Sequence, residues 1–190
     1  MKKLFLFLLA TVVSVTTFAQ TKWTIDAAHS FVNFSVKHSG ISFVDGSFRK
    51  FNGEISAPKD DFTGAKVNFT VDVASVNTSV EMRDNHLKSN DFFNAEKYPQ
   101  MTFESTSFKK VKGNIYALTG NLTIRDVTKS VKFDVLLGGI VKDQKGGSKA
   151  GFLATTKINR LDYNVSYDPT GMGIGKDVNI TLNLQFAQAK

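Results

Sequence analysis

Along most of the chain, apolar and polar residues alternate. From Asn179 to Phe186, Ile180, Leu182, Leu184 and Phe186 fall on one side and Asn179, Thr181, Asn183 and Gln185 on the other. That is the period of a strand with one dry face. Val32, Phe34 and Val36 alternate with Asn33, Ser35 and Lys37, and Val67, Phe69, Val71 and Val73 with Asn68, Thr70 and Asp72. Further on, Val131, Phe133 and Val135 oppose Lys132 and Asp134, while the runs GNIYALTGNLTI and AGFLATTKI read as strands whose glycines mark bulges or close contacts. Turn signals at HSG, APKDD, KGN, DQKGG and DPTGMGIG separate these segments. The pattern predicts an all-β domain of about eight or nine half-buried antiparallel strands, closed as a sandwich or a barrel.

One stretch breaks the alternation. Thr78 followed by Glu81 fits a capping box, which predicts a helix from Ser79 to Lys88 within a short helical insertion around residues 79–95. On that helix Val80, Arg83 and Leu87 share a face, Asp84 and Lys88 pair across a turn, and the adjacent Arg83 and Asp84 point too far apart to address one atom.

The N-terminus changes the picture of where this domain works. Lys2 and Lys3, an apolar run from Leu4 to Val13 and a small-residue end at Ala19 have the order of a secretory signal peptide. Cleavage there leaves residues 20–190 as one exported domain, periplasmic or secreted. The leader holds two of the 24 basic residues and none of the 17 acidic ones, so the net charge falls from +7 to +5. The absence of cysteine excludes disulfides, thiolate ligands and cysteine nucleophiles. The basic excess has no run longer than Phe108-Lys109-Lys110-Val111-Lys112 and no base-stacking motif, so nucleic acid is not an expected partner.

Catalytic chemistry is weakly represented. No G-x-S-x-G elbow occurs, and Arg83, Asp84 and His86 read as capping and anchoring residues, so no catalytic residue is assigned. His29, His38 and His86 are the histidines; the first two bracket one strand about 30 Å apart, too far to share an ion, and no metal site is expected. Asp26 before His29 and Asp162 before Tyr163 read as turn and strand-end hydrogen bonding. The 17 phenylalanines are the more informative feature. An eight-stranded barrel is either just filled by such side chains or able to hold one small ligand. A membrane barrel with its apolar face outward fits the same alternation, but one tryptophan and four tyrosines are too few for two aromatic girdles.

Read together, the segments from Trp23 to Ile55, Ser75 to Ser105, Gly120 to Val135 and Ile158 to Val165 resemble the YceI-like family of exported lipid-binding proteins. Trp-x-Ile-Asp followed by His29-Ser30, the Arg83-Asp84-x-His86-Leu87 helix and Leu122-Thr123-Ile124-Arg125 carry the likeness. Asp126 and Asn164 depart from it, standing where glycine is common; both residue types tolerate left-handed backbone. The resemblance implies a single lipocalin-like antiparallel barrel, without catalysis or a cofactor, whose interior holds a long isoprenoid lipid such as a quinone or polyprenyl phosphate. It makes Arg83, Asp84 and His86 the anchors of a cap.

Alternation supplies Phe34, Val36, Phe69, Val71, Phe103, Leu118, Phe133, Val135, Phe152, Leu182 and Leu184 as inward candidates for lining the lipid site. A transient membrane-surface contact is an expected partner interaction, and an exposed edge strand or the insertion could support a homodimer. Two other readings remain open at this level: an enzyme acting on a lipid headgroup at the barrel mouth through His86 or His29, and a filled structural barrel without ligand.

Overall fold

The computed structural model describes residues 20–142 and 146–189; the leader lies outside them. Eleven strands form among the described residues: β1 (Thr21–Ile25), β2 (Phe31–His38), β3 (Ser42–Phe48), β4 (Phe51–Ala57), β5 (Lys66–Asp72), β6 (Val76–Asn77), β7 (Gln100–Lys112), β8 (Ile115–Ile124), β9 (Val127–Lys142), β10 (Ser148–Asn159) and β11 (Ile174–Gln188). A single short helix, α1 (Glu81–Lys88), is the α-helical element among the described residues.

Eight of these strands close on themselves in the order β1-β4-β5-β7-β8-β9-β10-β11, with β11 returning to β1. Every pairing is antiparallel. The remaining short strands are second halves of barrel strands. β2 continues β1 along β11, as Ile25 faces Phe186 and Val32 faces Leu182. Likewise β3 runs into β4 beside β2, and β6 follows β5 to pair with β3 at Ser47 and Phe48.

The break between β1 and β2 has an identifiable cause. Ser30 Oγ donates to the Asp26 carbonyl at 2.7 Å and accepts from the Gln185 amide at 2.9 Å, fastening the kink to β11. Asp26 accepts from Gln185 Nε2 at 2.9 Å and pairs with His29 Nδ1 at 3.0 Å and Lys149 Nζ at 3.5 Å. The His-Ser pair of the sequence motif is therefore a strand-joining device. Burial pushes the Asp26 carboxyl up, but the hydrogen bonds and charges of these partners outweigh it and hold it below the usual carboxylate range.

Both glycine-bearing runs carry a glycine at a register shift. At Gly120 a Cβ would sit 2.4 Å from the Phe103 ring and 2.5 Å from the Glu104 carbonyl, so the glycine lets an inward ring lie on the neighbouring strand. Gly120 also lies at a register shift, between β7 and β8 opposite Ser105, and Gly151 at one between β9 and β10. Alternation sends the apolar faces inward: Leu182 and Leu184 line the interior, while Asn179 and Asn183 face out. A membrane barrel has the reverse arrangement.

The two ends differ. At one end the loop from Pro58 to Ala65 folds into the barrel and carries Phe62, which is 0% exposed. Its ring lies 5.1 Å from Trp23 and 5.0 Å, edge-on, from Phe152, which in turn meets Phe186 at 5.9 Å. Gly64 N–H donates to the Phe108 carbonyl at 2.9 Å and the Tyr116 hydroxyl to the Asp61 carbonyl at 2.7 Å, so the plug is held by β7 and β8. Phe62 has φ +60°, a left-handed conformation that a bulky residue adopts only when its surroundings impose it. The other end carries the β2–β3, β8–β9 and β10–β11 turns and the helical insertion, and there the interior is not filled.

Candidate functional site

Inside the unfilled half is a cavity of about 200 Å³, lined almost wholly by carbon. Its wall comes from inward residues of β2, β3, β5, β7, β8, β9, β10 and β11, and its cap from the insertion and the β10–β11 connection. Nine of the eleven positions that alternation turns inward stand in the wall: Phe34, Val36, Phe69, Val71, Phe103, Leu118, Phe133, Leu182 and Leu184. The other two do not reach it. Phe152 packs on Phe62 and Phe186, and Val135, 3% exposed, is registered against Tyr116 and Ala154 toward the plugged end. They fill core because alternation fixes the face of a strand but not the height along the barrel at which filling stops.

The insertion is built differently from its sequence signal. Its helix begins at Glu81, Ser79 is left-handed at φ +64°, and Thr78 is not the cap of a capping box. Asp84, not Glu81, turns back: its Oδ1 accepts from the Thr78 amide at 2.8 Å and from the Thr78 hydroxyl at 2.6 Å. Arg83 Nε donates to the same hydroxyl oxygen at 2.7 Å and Nη2 to the Thr78 carbonyl at 2.9 Å. Arg83 and Asp84 thus meet at one atom despite their angular separation, because Thr78 lies beyond the helix N-terminus where long side chains converge. Asp84 is buried in this knot, and no ion pair joins it to Lys88 among the described residues.

Leu87, Phe92 and Phe93 carry the cap into the cavity wall, with Phe93 5.8 Å from Phe48. His86 sits above them, edge-on to Phe92 and Tyr167 at 4.9 Å each, its Nε2 2.8 Å from Asp91 Oδ2. It joins the insertion to the β10–β11 connection. His29 is fixed at the waist and His38 stands on the rim beside Ser39, so the three histidines occupy separate places.

The sequence reading missed the residue that organises the mouth. Arg160 is 5% exposed and lines the cavity. Its Nε donates to Gly175 O at 2.9 Å, Nη1 to Val165 O at 2.8 Å and Tyr167 O at 2.6 Å, and Nη2 to Asp168 O at 2.7 Å and Ile174 O at 2.8 Å. Five main-chain carbonyls converge on one guanidinium, which gathers the whole 165–175 loop. Burial pulls the Arg160 pKa down and the nearby Asp168 charge opposes that. The signal was the motif Asn159-Arg160-Leu161-Asp162, but nothing in it says that a distant loop supplies the acceptors.

Asp168 secures the rest of that loop. It accepts from Thr170 Oγ1 at 2.5 Å and from the Gly173 and Ile174 amides at 2.8 Å each. These bonds, the Thr170 hydroxyl first, hold its carboxyl at about 2, against an ordinary 3.8. The ionised form therefore favours the folded loop above pH 3.8, and that contribution disappears as pH falls toward 2. Amide exchange at Gly173 and Ile174 should accelerate several-fold beyond its intrinsic pH trend between those limits. Asp168→Asn should remove the step, and an identical profile in both proteins would refute the assignment.

The two departures from the family pattern touch each other. Asn164 Nδ2 donates to Asp126 Oδ1 at 3.2 Å, the leading cause of a lowered Asp126 pKa. Asn164 is left-handed at φ +58°, as its residue type permits; in the β8–β9 turn the left-handed residue is Arg125, at φ +56°, rather than Asp126. Arg125 Nη1 donates to Phe92 O at 3.0 Å and to Asn164 O at 2.5 Å, tying the turn, the insertion and the β10–β11 connection together. The two capping segments, remote in sequence, are thus tied together by a third.

A family model for the YceI-like domain matches residues 23–186. The chain is 41% identical over 150 residues to the UPF0312 protein plu2095 of Photorhabdus laumondii, covering 79% of this chain and 78% of that one. It superposes on the crystal structure of the Campylobacter jejuni YCEI protein with a TM-score of 0.73 at 35% identity, covering 81% and 90% of the two chains. A polyisoprenoid binding domain from Saccharophagus degradans shares the fold, with a TM-score of 0.66 at 17% identity over 91% of this chain and 100% of that one.

Proposed function

The chain belongs to the YceI-like family, and from that premise we propose that it is a non-catalytic carrier that shields an isoprenoid lipid, a quinone or a polyprenyl phosphate, inside its barrel. The observation that carries this reading is the capped cavity with an almost wholly carbon wall. A prenyl chain offers only hydrocarbon and asks for an apolar tunnel with few directional groups. One five-carbon unit is stabilised by roughly 3–4 kcal/mol before ordering costs, so a few units bind tightly. The polyisoprenoid-binding domain of Saccharophagus degradans, which has the same fold, supports the ligand class. The leader-like N-terminus supports export to the periplasm or beyond, where such a lipid would pass between membranes.

Native mass spectrometry of protein purified without detergent from its own host, followed by extraction, tests the proposal. A bound isoprenoid of defined mass is expected. Ala154→Phe, placed in the cavity wall, should abolish that adduct while costing about 1–3 kcal/mol in stability from overpacking. An apo mass that persists after incubation with quinones and polyprenyl phosphates would end the carrier reading.

A further inference from the structure

At the cavity rim the β2–β3 turn and the β10–β11 connection are joined side by side. Ser39 N–H donates to Gly173 O at 2.7 Å, and Ile174 is registered against His38. Either side of this junction projects a largely exposed apolar side chain: Ile41 is 89% exposed and Met172 79%. Phe43, two residues from the turn tip, is 59% exposed on the outer face, opposite Lys37. Large apolar residues at the tips of two adjoining turns are unfavourable in water unless something covers them.

Two lysines flank the tips. Lys37 and Lys176 are exposed there, and the Lys176 stem lies against Gly171 in the Met172 loop. The neighbouring carboxylates are partly engaged: Asp168 binds amides of its own loop, and Asp177 pairs with Lys157 at 3.0 Å. Asp45 stays exposed on β3. The rim also continues directly into the cavity, since Val36 and Ile174, in its wall, are a residue or two from Lys37 and Met172.

We propose that Ile41, Phe43 and Met172, flanked by Lys37 and Lys176, are a docking tip that inserts into the surface of an anionic lipid bilayer and sets the cavity mouth against it. Shallow apolar insertion and attraction between basic side chains and anionic headgroups reinforce each other at an interface. The inference rests on the carrier reading for its purpose, but the docking itself requires no isoprenoid.

Flotation with vesicles of equimolar phosphatidylglycerol and phosphatidylcholine, containing no isoprenoid, tests it. The protein should float with these vesicles, less so as salt rises. The pair Ile41→Ser and Met172→Ser should weaken association about tenfold, as expected for losing two inserted side chains. Lys37→Glu with Lys176→Glu should remove most of the salt dependence. Val111→Ser with Ile115→Ser, exposed residues at the opposite end of the barrel, should change nothing.

Equal flotation of the Ile41/Met172 variant and the wild type, or equal loss in the Val111/Ile115 variant, overturns the docking tip; so does an absence of flotation. Farnesol binding in solution, read by native mass spectrometry on the same proteins, reports the cavity separately. Flotation without farnesol uptake would remove the carrier reading and leave the docking surface standing.

Discussion

Replacing Arg160 by leucine should cost about 3–5 kcal/mol of stability, among the largest effects of any single substitution in this protein. The five carbonyls that now share one guanidinium would lose their donor together, and leucine offers them nothing. Each can be satisfied only by water, which requires the 165–175 loop to lift from the barrel mouth. For a chain of this length that corresponds to a fall in melting temperature of roughly 10 °C. Arg160→Lys should recover part of the loss, because an ammonium can reach some of the carbonyls but cannot span all five. Thermal and urea unfolding of the three proteins decides the matter. A leucine variant within about 1 kcal/mol of wild type would show that the carbonyls do not depend on Arg160. Because Arg160 also stands in the cavity wall, the lysine variant, still folded, should bind a prenyl chain more weakly.

Phe62→Ala should remove about 3–5 kcal/mol for a different reason. It deletes a fully buried ring from the plugged end and strips Trp23 and Phe152 of an aromatic partner. The backbone adds a second, opposite term. At φ +60° a residue with a Cβ is strained and glycine is not. Phe62→Gly should therefore be no less stable than Phe62→Ala, although glycine in an ordered loop is normally the worse choice. Urea unfolding of both variants measures the comparison. A glycine variant less stable than the alanine one by 1 kcal/mol or more would mean that the left-handed geometry carries no strain. Neither change touches the cavity wall, so prenyl binding by the folded fraction should survive both.

Residue type and spacing made the fold legible. Strict alternation in Asn179–Phe186 and its counterparts says that each strand has one dry face, and short turn signals make the neighbours antiparallel. Alternation also placed nine cavity-wall residues on the correct face. It could not separate these from Val135 and Phe152, because direction relative to the sheet is a local property and height along the barrel axis is not. The Thr78–Glu81 pair gave a helix in the right place with the wrong cap. Asp84, three residues further on, reaches Thr78 only because Ser79 bends the entering chain into a left-handed turn.

What the sequence by itself determined is an all-β domain of half-buried antiparallel strands with one helical insertion, closed as a sandwich or a barrel; the barrel is what the resemblance carried by the His29-Ser30, Arg83-Asp84-x-His86 and Leu122-Thr123-Ile124-Arg125 motifs implies. The strands and the helical insertion follow from local periodicity and from residue chemistry that needs only near neighbours. Tertiary structure alone decided that one end is plugged by Phe62 and the other left hollow, and that Arg160 gathers a loop through acceptors as far away as Gly175. It also decided that Arg125, Phe92 and Asn164 meet over the cavity. Those outcomes depend on which carbonyls and rings are brought together when the barrel closes, and closure is set by pairings between strands far apart in the chain.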